Sequence, residues 1–91
     1  MKTIIIDGTA FENRETFHKL LKLNMDLPQY YGNNLDALWD CLTGEITLPL
    51  KIIWNDFDSS KITLGDYADK AAAVFIKAEK KLGQKFIFEL H

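Results

Sequence analysis

The residues in this sequence with the clearest capacity for chemistry are two aspartates, Asp36 and Asp40, in the segment Leu35-Asp36-Ala37-Leu38-Trp39-Asp40-Cys41-Leu42-Thr43. The segment predicts a short helix, and on a helix their spacing of i, i+4 puts both carboxylates on one face, about 5–6 Å apart at Cβ. Three chemistries suit such a pair. A general acid/base pair needs room for substrate between opposed groups, and adjacent turns of one helix leave none. A hard-cation site needs six or more oxygen ligands, and no Asp-rich loop supplies the rest. The third is a rigid pair of anions presented to a basic cleft, imitating the phosphates of a nucleic acid. A plain solvated acidic face is the structural account to set beside these. It explains Asp36, which the helix dipole favours in the first turn. It does not explain Asp40, which repels Asp36 and has no Lys or Arg in the helix to offset it. Selection for stability alone would place a cation at one of the two positions.

The other reactive residue types carry weaker signals. Tyr30, Tyr31, Gly32 and Asn33 form an aromatic loop just before the acidic segment, a composition found at interface anchors. Completing the edge of the core is the competing role for both tyrosines. Cys41 has no basic neighbour in sequence to lower its pKa and reads as a buried structural thiol. His18 has no ligand pattern around it and reads as a helix surface or boundary residue. Ser59-Ser60-Lys61 offers a hydroxyl beside an amine but no cue for a base. The five glycines are widely separated and none belongs to a phosphate-binding loop.

Charge distribution supports the third chemistry. The net charge is only -2, yet no Lys or Arg occurs between Lys22 and Lys51, while Asp26, Asp36, Asp40 and Glu45 do. An acidic middle segment argues against nucleic acid as its partner and favours a basic protein surface. The 91 residues make one small domain, spanning 1–91. A hydrophobic content of 47% with 26% charged residues is that of a soluble globular chain. Apolar runs are too short to span a membrane. The N-terminus does not read as a signal peptide, and a lone cysteine fits a reducing compartment, so the expected location is cytoplasmic.

The elements that must position these residues follow from pattern. Thr3 to Ile6 reads as a strand buried on both faces, stopping at Asp7-Gly8. Asn13 caps a helix running to about Leu23. Pro28 and Gly32 bracket an irregular loop. Asn34 caps the acidic helix, whose stripe is Leu35, Leu38, Trp39 and Leu42, and Gly44 reads as its C′ residue. Leu50 to Trp54 is a second strand, and Asn55 to Lys61 a helical turn. Asp66 begins a long helix that Gly83 ends, and Phe86 to Leu90 is a third strand. Helical crossovers predict parallel pairing. The fold class is α/β: a small three-stranded parallel sheet with about four helices.

The run Leu27-Pro28-Gln29-Tyr30-Tyr31-Gly32-Asn33-Asn34-Leu35-Asp36-Ala37-Leu38-Trp39-Asp40-Cys41-Leu42-Thr43-Gly44 closely resembles the binding segment of the barstar family. These are intracellular inhibitors of barnase-type microbial ribonucleases. The likeness extends more weakly over nearly the whole chain, through Trp54, Phe57, Ser60-Lys61, Val74-Phe75 and Ala78. It implies the same α/β fold and a ribonuclease inhibitor rather than an enzyme, and the residue pattern, with no phosphate loop and no metal-ligand cluster, calls for no cofactor and no bound metal. It also implies a 1:1 complex with an extracellular barnase-type ribonuclease, the inhibitor being a monomer when free. Asp40 would enter the enzyme's active site in place of substrate phosphate, and Asp36 would pair with a basic residue at the rim. Tyr30 would pack near the catalytic histidine. Gly32, Asn34, Leu35, Trp39 and Thr43 would supply backbone and packing contacts.

The periphery departs from the family pattern. Glu45 replaces a tryptophan and adds an acidic group to the partner-binding surface. Thr47 and Lys77 each replace a glutamate. Altered edges around an intact centre imply a different cognate ribonuclease or a weaker hold on barnase itself. An antitoxin or anionic binding module for some other basic partner is the alternative.

Overall fold

The computed structural model describes all residues from Met1 to His91. The elements are β1 (Lys2–Asp7), α1 (Arg14–Asn24), α2 (Leu35–Gly44), β2 (Leu50–Asn55), α3 (Phe57–Leu64), α4 (Asp66–Leu82), a 3-10 turn at Gly83–Lys85 and β3 (Phe86–Leu90). The three strands form one parallel sheet in the order β1-β2-β3. Both crossovers contain helices, as parallel pairing requires. The expected fold class is the one observed.

Alternation along the strands shows where the core lies. Ile4, Ile6, Leu50, Ile52, Trp54, Phe86 and Phe88 are buried. Residues of the other parity are exposed or half-buried. One face of the sheet therefore carries the core and the other is largely open. This corrects the reading of β1 as buried on both faces, because Ile5 at its centre is 54% exposed. A run of β-branched residues looks the same whether one or both faces are covered. β1 is an edge strand, so its outer face also lacks a flanking neighbour on one side.

Helix ends follow ordinary capping chemistry, with two surprises. Asn13 caps α1 in a reciprocal box with Thr16. Gly44 is not a left-handed C′ residue. It is the last residue of α2, and the end is closed by the amides of Glu45 and Ile46, both bonding the carbonyl of Cys41. α3 starts without a side-chain cap, after Asp56 in the left-handed region at φ 56°, and it extends to Leu64, beyond the helical turn expected from sequence.

Gly8 is fixed by close approach. A Cβ there would collide with the carbonyl oxygens of Asn55 and Asp56 and with Ser60 Oγ. The Ser60 hydroxyl donates to Gly8 O (3.1 Å) and accepts from Trp54 Nε1 (2.9 Å). Its hydrogen bonds are structural, and Lys61 pairs instead with Asp69 at 3.1 Å.

Candidate functional site

The acidic helix is held by its apolar stripe and aimed by its cap. Leu38, Cys41 and Leu42 are buried, and Leu35 and Trp39 are half-buried against the core. Cys41 has the buried position expected of it, and burial pushes its thiol pKa up. At the N-terminus the Asn34 side chain accepts from Ala37 N at 2.7 Å and donates to Gly32 O at 3.2 Å. One side chain thus caps the helix and pins the preceding loop. Just before it, Asn33 takes a left-handed conformation at φ 55°, which Asn tolerates better than most residues. At the other end Thr43 Oγ1 donates to Trp39 O at 2.8 Å.

Asp36 and Asp40 lie on the outer side of α2, both exposed. None of the protein's four ion pairs includes either one, and α2 has no basic residue in its last turn. Both carboxylates are carried on one face of the helix and left without a counter-charge.

The two tyrosines divide their roles. Tyr30 is 74% exposed. Its hydroxyl donates to Glu45 Oε1 at 2.8 Å, joining the two ends of the site across fifteen residues of chain. That bond to a carboxylate holds the phenol proton and raises its pKa. Tyr31 is buried, and its hydroxyl lies 2.6 Å from His18 Nδ1. His18 Nε2 lies 2.7 Å from the Tyr67 hydroxyl. The neutral imidazole donates to one tyrosine and accepts from the other.

His18 corrects the expectation of a surface or boundary residue, because it has no exposed area. Desolvation lowers its pKa to about 4. The helical period held a signal for this. His18 lies three residues before buried Leu21 and seven before buried Met25, on the inward stripe of α1. Its partners on a loop and on α4 could not be read from sequence. The result is a polar tie that links α1 and α4 to the loop carrying Tyr30.

Two further placements bear on the site. Arg14 lies 4.3 Å above the Tyr67 ring. Lys77, on α4, holds its ammonium 5.1 Å from the centre of the Trp39 ring. Sequence alone placed Lys77 at the edge of the binding surface only through the family resemblance, and not on Trp39.

The α/β fold thus presents an acidic helix without counter-charge beside a loop with one exposed tyrosine, Tyr30. A family model described as "Barstar (barnase inhibitor)" matches residues 1–90. A curated relative from Bacillus subtilis (strain 168), named "Putative ribonuclease inhibitor YrdF", is 50% identical over 86 residues, covering 94% of each chain. The chain belongs to the barstar family. No helix is long and apolar enough to cross a membrane.

Proposed function

We propose that this protein inhibits a basic ribonuclease of the barnase type by seating α2 and its preceding loop in the enzyme's active site. One observation carries the reading: Asp36 and Asp40 are exposed on a rigid helix with no cation paired to either. A cleft built to bind phosphate offers several cations to anions fixed in this way, and charge-assisted hydrogen bonds result. Asp40 is the central anchor and Asp36 pairs at the rim. Tyr30, held by Glu45, lies against the edge of the cleft. Gly32, Asn34, Leu35, Trp39 and Thr43 shape the contact surface. The complex is 1:1, the partner is an extracellular enzyme, and the inhibitor is a cytoplasmic monomer when free. The chain performs no turnover itself.

Titration calorimetry and RNA-cleavage assays with barnase-type ribonucleases test this. Wild type should bind one enzyme per chain and block cleavage. Asp40→Ala should weaken binding by about 2–5 kcal/mol, because truncation leaves the partner's cations buried and unpaired. Equal affinity for wild type and Asp40→Ala would rule out the proposed anchor.

A further inference from the structure

Lys77 is the cation held against α2, and its position calls for an explanation. α4 packs against α2, and its buried side is made of Ala68, Ala71, Ala72, Phe75 and Ala78. Lys77 lies at the margin of that contact, exposed, with its ammonium 5.1 Å from the centre of the half-buried Trp39 ring. It joins none of the protein's ion pairs. The helix dipole accounts for Lys80 and Lys81 in the last turn of α4. Lys77 sits a turn earlier, on the side facing α2. The acidic face thus ends at one fixed positive corner, held by a cation–π contact rather than by a carboxylate. That contact leaves the ammonium's hydrogen-bond donors free and reduces the entropy lost in ordering it at an interface.

We infer that the partner carries a carboxylate beside its cationic cleft, positioned to meet the Lys77–Trp39 corner. The inference rests on the proposed function and names the partner's chemistry at one edge of the same site. A partner that was cationic across its whole contact surface would meet Lys77 with like charge as the interface dried, and like-charge juxtaposition is strongly unfavourable there. A carboxylate would instead accept from the free ammonium. Residue 77 then selects among basic ribonucleases by the sign of one rim residue.

The test uses barnase and a panel of barnase variants, each with one residue around its active-site cleft changed to Glu or to Lys. With wild type, Glu variants at one spatially clustered group of positions should bind at least tenfold more tightly than the Lys variants at those positions. Lys77→Glu should reverse that order, and Lys77→Met, which keeps apolar contact with Trp39, should erase it. If residue 77 affects no variant while Asp40→Ala weakens binding to all of them, the inference is wrong and the proposed function survives. If neither wild type nor Lys77→Glu binds any member of the panel or any other barnase-type ribonuclease, both fall together. Binding of a short RNA oligonucleotide by wild type, lost in Lys77→Met, would assign the corner to phosphate and overturn the inference.

Discussion

The interior of this protein and the outer face of α2 treat polar groups in opposite ways. Inside, every buried side-chain nitrogen or oxygen has a hydrogen-bond partner. His18 is held between two tyrosine hydroxyls, and Ser60 joins the Trp54 indole to the Gly8 carbonyl. On α2 two carboxylates share a face with no counter-charge. Leaving a group unpaired is costly only where water is excluded. The exposed pair costs little in the free protein and becomes valuable once a basic surface covers it. Complete pairing marks the groups that hold the fold. Incomplete pairing marks those left for a partner.

This contrast breaks first at Leu38, the buried residue on α2 between the two aspartates. It has no exposed area. Leu38→Ala should cost about 2–5 kcal/mol of stability through lost transfer energy and the cavity left behind. Urea denaturation measures this. A loss under about 1 kcal/mol would mean that the stripe does not anchor the helix.

The next effect belongs to His18. His18 takes up a proton near pH 6.5 in the unfolded chain, whereas in the folded chain it resists until about pH 4. Between these values the unfolded state binds more protons, so stability falls as the solution becomes more acidic. Burial of the imidazole, which disfavours its charged form, is the cause. Full passage through the window should remove roughly 3 kcal/mol. Urea midpoints of wild type and His18→Gln, compared from pH 7.5 to pH 4, isolate this contribution from the carboxylates common to both. Parallel pH profiles would show that His18 is readily protonated in the folded protein.

Much of this was legible in the sequence because local rules carried it. The succession of elements along the chain, helix spacing and the Asn13 and Asn34 caps each rest on a few adjacent residues. The odd placement of Asp40 was visible because helix periodicity fixes which residues share a face. Features that depend on distant neighbours were not legible. His18 acquires its role from Tyr31 and Tyr67, thirteen and forty-nine residues away. Ile5 is exposed because of which sheet face the helices leave open, and the β1 residues carry no mark of that. Gly44 looked like a helix stop because glycine commonly serves as one, yet ordinary backbone bonds to the Cys41 carbonyl end the helix there.

The smallest expected effect is also the most discriminating. Asp40 is exposed and forms no ion pair, and it faces Asp36 across one turn. Asp40→Ala removes that repulsion and places a better helix former in the interior of α2. Stability should rise by about 0.3–1 kcal/mol, or at least not fall, in urea melts near neutral pH. The same substitution should be among the most damaging to ribonuclease binding. A group that supports folding would lower stability when removed, and a group on a merely solvated face would leave binding unchanged. Only a carboxylate retained for a partner moves the two measurements in opposite directions. A destabilisation comparable to that of Leu38→Ala would assign Asp40 to the fold and remove the basis for reading this face as a docking surface.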